Sequence, residues 1–132
     1  MALSSFPHLR IVVVDDNEQV RHLVSSLLHL RQGLELVGEA TDGMAAVQLV
    51  YELEPDIVLM DIEMPRLNGI EATKQITSRV PQSRVIGFFS STDASTRTAM
   101  KEAGSVALVA KEEVFDLPDV IKDIFQPRHP TP

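Results

Sequence analysis

Two hydrophobic periods alternate along the chain. Ile11-Val12-Val13-Val14 and Ile57-Val58-Leu59-Met60 are unbroken apolar runs of strand length, the pattern of strands buried on both faces. Leu34 to Ala40 alternates instead, with Leu34, Leu36 and Gly38 against Glu35, Val37 and Glu39. Val85 to Phe89 and Val106 to Ala110 read as the fourth and fifth strands. Between the strands the period lengthens to that of a helix. Asn17 is placed to cap a helix to about Arg31, in which Val20, Leu23, Val24, Leu27 and Leu28 make one apolar stripe, and Gly33 is expected to close it. Met44 to Leu53 turns Ala46, Val47 and Val50 inward and should stop at Glu54-Pro55, because a residue before proline avoids the helical region. Ile70 to Arg79 follows through Ile70, Thr73 and Ile76; a helix capped by Asp93 or Ser95 runs to Ala103 and closes at Gly104; the last, Leu117 to Phe125, carries Val120, Ile121 and Ile124. Phe88 and Phe89 are expected in the core.

Five strand-then-helix units joined by right-handed crossovers imply a parallel sheet with helices on both faces. The expected fold is the flavodoxin-like (βα)5 domain, strand order 2-1-3-4-5, over residues 1–126, with a short lead-in and a proline-rich tail at 127–132 expected to be disordered. Glu63-Met64-Pro65-Arg66-Leu67-Asn68-Gly69 reads as a fixed turn.

Composition narrows the function. The chain has 132 residues, 44% of them apolar, enough for one domain and one core. A net charge of −7 offers no basic field for nucleic acid or an anionic membrane. With no cysteine there is no disulfide, thiolate metal site or cysteine nucleophile. The N-terminus has no secretory signal pattern and the apolar runs are far too short to span a bilayer, so a soluble cytoplasmic protein is the expectation. The four histidines, His8, His22, His29 and His129, share no metal-ligand spacing.

The chemistry lies at strand ends. The first strand runs out in Asp15-Asp16 and the third in Asp61, and in the order 2-1-3-4-5 these two strands flank the switch point where open parallel sheets bind ligands. Three carboxylates converging there repel one another unless a cation or a proton sits among them. Magnesium, which takes one or two carboxylates, waters and phosphate oxygens, suits such a half-built oxygen site. Asp61 could then act as nucleophile toward a phosphoryl group, with Lys111, from the end of the fifth strand, supplying positive charge to the phosphate oxygens.

From Val13-Val14-Asp15-Asp16, Asp56-Ile57-Val58-Leu59-Met60-Asp61-Ile62-Glu63-Met64-Pro65 with Asn68-Gly69, Ala103-Gly104 and Lys111, the chain resembles the receiver domain of two-component response regulators over about residues 9 to 125. The wording around Arg84-Val85-Ile86 is most similar to receivers that precede a helix-turn-helix output domain. By that resemblance Asp61 is the phospho-acceptor, Asp15 and Asp16 hold magnesium, Glu63 gives a backbone carbonyl to the metal, and Lys111 contacts the phosphate. The implied partners are a sensor histidine kinase or phosphotransfer protein, and a homodimer mate through the face of helix 4, strand 5 and helix 5. The implied process is phosphorelay signalling with transcription regulation, not enzymatic turnover beyond slow autodephosphorylation.

Two positions depart from the family. Receivers carry Ser or Thr at the end of strand 4, where counting from Gly104 or Pro81 gives Phe89; Ser90 or Ser91 would have to substitute, and counting from Asp61 with a longer loop reaches Ser91. The family's aromatic switch in strand 5 corresponds to Leu108. These departures motivate an alternative, a receiver-like module that binds partners without phosphate. A third possibility, a small aspartyl-phosphate hydrolase built on Asp61-Ile62-Glu63, lacks any insertion long enough to cap a substrate.

Overall fold

The two unbroken apolar runs form the middle of the sheet, where both faces are covered. The computed structural model describes residues 8–64 and 68–125. Strands β1 (Leu9–Val14), β2 (Leu34–Ala40), β3 (Ile57–Asp61), β4 (Arg84–Phe89) and β5 (Ala107–Ala110) alternate with helices α1 (Glu18–His29), α2 (Gly43–Leu53), α3 (Gly69–Arg79), α4 (Ala94–Ala103) and α5 (Leu117–Phe125). All pairings are parallel, in the expected order β2-β1-β3-β4-β5.

Alternation along each strand sorts the core into two layers. Ile11, Val13, Leu59, Ile86, Phe88 and Val109 pack with Val24 and Leu28 of α1 and Leu117 and Ile121 of α5. Val12, Val14, Val58, Met60 and Val85 pack on the other face with Ala46 and Val50 of α2, Ala72 and Ile76 of α3 and Met100 of α4. The right-handed crossovers leave α1 and α5 on one side and α2 to α4 on the other.

Side-chain caps start four of the helices: Asn17 and Asp93, as expected, and Asp42 and Asn68 besides, each accept a backbone N–H of the first turn. Glu54 ends α2 in the left-handed region at φ 45°, consistent with the bar that Pro55 sets on the helical one.

Several details differ from expectation. Leu23 is exposed, because the stripe that α1 turns to the sheet is centred on Val24 and Leu28. Helix α1 ends at His29, and Gly33 (φ 88°) serves the turn into β2, its carbonyl accepting the Leu9 N–H, rather than capping the helix. The β1–β2 register slips between Ile11 and Val12, so Val37 has no partner in β1. Val106 lies outside β5 and is exposed. In α5, Leu117, Pro118 and Ile121 are buried while Val120 and Ile124 are only partly so. A 3-10 segment, Lys111–Asp116, joins β5 to α5 and has no sequence signal. Residues 1–7 of the lead-in expected at 1–9, residues 65–67 of the predicted turn and the tail at 127–132 lie outside the described residues, while Leu9 already belongs to β1.

One glycine ties this frame to the strand end that carries Asp61. A Cβ on Gly69 would lie 2.4 Å from the Asp61 carbonyl oxygen and 2.8 Å from the Ile62 Cα. Both are backbone atoms and cannot turn aside, and the Gly69 N–H already donates to the Ile62 carbonyl. Gly69→Ala is expected to lower unfolding free energy in urea by about 2 kcal/mol or more. Asn68→Ala, which removes only the cap on the Glu71 N–H, should cost about 1 kcal/mol.

Candidate functional site

Strand parity decides which side chains meet. Ile57 and Leu59 face α1 and α5, so Asp61, two residues on, points the same way; Ile11 and Val13 bring Asp15 to that face, and Ala107 and Val109 bring Lys111. β1 and β3 are neighbours, so the two carboxylates end side by side at the C-terminal rim. Both are buried, Asp15 at 0% and Asp61 at 2% exposure. Lys111 Nζ lies 2.8 Å from Asp15 Oδ2 and 3.4 Å from Asp61 Oδ2. Asp16 is exposed, and one carboxylate oxygen each from Asp15, Asp16 and Asp61 lie within 4.8 Å of one another.

Neighbouring amides hold the carboxylates in place. The Asn17 N–H donates to Asp15 Oδ1 at 2.9 Å and the Glu63 N–H to Asp61 Oδ1 at 3.1 Å. Arg21, which the sequence did not single out, donates to the Asp15 carbonyl at 2.8 Å while its Nε pairs with Glu39. It fixes the backbone of one acid from the first turn of α1. A basic residue four positions after a helix cap was the available clue, but nothing in the spacing aims it at Asp15.

Burial and the nearby Asp15 charge push the Asp61 carboxyl up to about 6; Lys111 and the Glu63 N–H pull the other way without cancelling them. Burial works against the charge on Lys111, yet its hydrogen bond to Asp15 and the fields of both acids prevail, and its pKa is raised.

This donor set fits a hard divalent cation. Two buried carboxylates and one exposed carboxylate leave an open side for water or phosphate oxygens, as magnesium requires, and Asp15 Oδ2 has no hydrogen bond beyond its ion contact with Lys111. Asp15, Asp16 and Asp61 would hold it. The Glu63 side chain is exposed and outside this acidic group.

The hydroxyls lie elsewhere. β4 ends at Phe89, which pairs with Ala110, the residue before Lys111; Ser90 and Ser91 follow the ladder and are exposed. Ser91 lines a groove with Glu63, Asn68, Thr92 and Asp93. Leu108 packs so closely over Gly87 that a Cβ there would lie 2.5 Å from Leu108 Cδ2. His22 and His29 are exposed, and His8 pairs with Glu35 away from the rim. Among the described residues, no helix is long and apolar enough to cross a membrane.

Residues 11–124 match the family model described as the response regulator receiver domain. The chain is 39% identical over 108 residues to the transcriptional regulatory protein LnrK of Bacillus subtilis, covering 82% of this chain and 49% of that protein. It is 38% identical over 116 residues to protein-glutamate methylesterase/protein-glutamine glutaminase 4 of Myxococcus xanthus, covering 87% of this chain and 33% of that one. The chain thus spans half or less of the length of these relatives. The crystal structure of a LuxR-family two-component response regulator from Aurantimonas sp. superposes with a TM-score of 0.82 at 34% identity, covering 88% of this chain and 84% of that one.

The raised carboxyl makes a thermodynamic prediction. Asp61 binds its proton more tightly folded than unfolded, so its ionisation costs stability progressively as pH rises from about 4 to about 6. Asp61→Asn removes that cost. Thermal melts should show the variant more stable than the parent at pH 7.5, by on the order of 2–3 kcal/mol, with the gain fading below pH 4. Equal melting temperatures at both pH values would show that the carboxylate carries no such penalty.

Proposed function

The chain belongs to the response regulator receiver domain family and is a receiver domain of a two-component system, and from that premise we propose that Asp61 is its phospho-acceptor, charged by a sensor histidine kinase or phosphotransfer protein. The observation that carries the reading is the meeting of Asp15, Asp16, Asp61 and Lys111 on one rim from three separate stretches of chain. An Asp61 carboxylate oxygen attacks the phosphorus of a phosphohistidine, the phosphorus–nitrogen bond breaks, the imidazole leaves and takes up a proton, and an acyl phosphate remains on Asp61.

Each residue has a part in that transfer. Glu63 N–H holds one Asp61 oxygen and thereby orients the other. Lys111 sits at the rim with a half-buried amine and neutralises charge gathering on the phosphoryl oxygens. Asp15, Asp16, Asp61 and the Glu63 backbone carbonyl would hold magnesium, which would supply further neutralisation of phosphoryl charge. Ser90 or Ser91, both exposed just beyond the end of β4, would have to offer any hydroxyl to the phosphoryl group.

The added charge then alters a surface for a partner or a homodimer mate, with α4, β5 and α5 as the face concerned. The relatives include both transcriptional regulators and methylesterases, and the matched segment covers half or less of each. We take transcription regulation, through an output domain of the helix-turn-helix kind, as the process served. The acceptor step itself is one transfer and not a catalytic cycle.

The packing of Leu108 over Gly87 favours a second reading, a module that engages partners without phosphate. It fills the space beneath α4 with an aliphatic side chain and presents no ring or hydroxyl that could change places.

Acetyl phosphate with magnesium tests both. One hydroxylamine-labile phosphoryl group per chain is expected by intact mass, none in Asp61→Asn, and a rate lower by on the order of 10² in Lys111→Ala. Sustained release of phosphate from small esters would mark a hydrolase instead. A parent protein that takes no phosphoryl group, and whose oligomeric state matches that of Asp61→Asn, would favour the phosphate-independent module.

A further inference from the structure

The lysine amine at the rim has a third neighbour. Lys111 Nζ lies 5.7 Å from the centroid of the Phe88 ring, within the range in which an ammonium is drawn to an aromatic face. Phe88 is fully buried and pairs with Asp61 in β3 on one side and with Val109 in β5 on the other. Strand parity turns its ring to the face that Asp61, Asp15 and Lys111 share. The ring therefore occupies the ground between the strand that carries the acceptor carboxylate and the strand that delivers the amine, and the lysine stem has to pass over it to reach the carboxylates.

We propose that Phe88 is a positioning residue, which holds the Lys111 ammonium at the acceptor carboxylate through the face of its ring. Two carboxylates attract an ammonium but do not by themselves confine it, since a flexible four-carbon stem lets it approach either oxygen from many directions. A cation bound among Asp15, Asp16 and Asp61 would also compete for Asp15, the closer of the lysine's two partners. Of these three neighbours, the ring is the one that neither a metal ion nor a proton can neutralise. It keeps the amine at the rim when its ion pair is weakened. The inference deepens the phospho-acceptor reading and rests on it for its consequence, but the tether is a property of the protein without phosphate.

The test separates the two. In the unphosphorylated protein, NMR of the Lys111 ε-methylene should show an upfield ring-current shift that disappears in Phe88→Leu. In parallel, Phe88 is replaced by phenylalanines of increasing fluorination, which keep shape and burial nearly constant while draining the negative face of the ring. The rate of labelling by acetyl phosphate with magnesium should fall steadily along the series, by about threefold in all, the range expected of a partly solvated cation–π contact. A purely structural ring would leave that rate flat. A flat series, or a Lys111 resonance unchanged in Phe88→Leu, overturns the proposal. Should the unsubstituted protein take no phosphoryl group at all, the acceptor reading falls, and the Lys111 shift by itself decides for or against the tether.

Discussion

Two buried carboxylates side by side are the constraint around which the site is built. Parallel pairing of β1 with β3 brings Asp15 and Asp61 together at the rim whatever their charge, because the ladder is held by a core of aliphatic residues and not by its last positions. The repulsion is left standing. It appears in the Asp61 carboxyl, which burial and Asp15 push up to about 6. A site poised in this way gains from whatever brings positive charge, and the amine of Lys111 is the part of that charge the chain carries itself.

The answer to the repulsion is distributed over several elements. Asn17 and Glu63 amides each take one carboxylate oxygen, Arg21 secures the Asp15 backbone from α1, and Lys111 reaches in from the far side of β4. None of these groups removes the open side at Asp16. A cation or a phosphoryl group thus meets carboxylates whose orientation is already set, and little ordering is left to do on arrival.

Beyond the rim the structure is more committed. β4 ends in Phe88 and Phe89, the first buried beside Asp61 and the second partly buried opposite Ala110, and Leu108 closes over Gly87. The loop into α4 is tied within itself: Arg97 donates to the Thr92 carbonyl, and Asp93 accepts from Thr96 and Ser95. Charge chemistry is gathered on the α1 and α5 side of the sheet, and the α4 side is filled by apolar packing.

Much of this was legible in the chain itself. Unbroken apolar runs identified the central strands, Asn17 and Asp93 announced helix starts, and the handedness of crossovers was enough to predict that acids after the first and third strands would meet, with Lys111 arriving from the fifth. These are local patterns and topological rules, and they hold without knowledge of any particular contact. The tertiary structure decided what depends on register and side-chain direction. Periodicity says which face a residue takes but not which residue stands opposite, so it could not see the Val37 irregularity or place the Phe88 ring beneath the lysine. It also could not tell that Leu23 would be left outside the α1 interface or that Arg21 would turn toward Asp15. Register is settled by the summed packing of whole strands and helices against one another, and that sum exists only once the chain has folded.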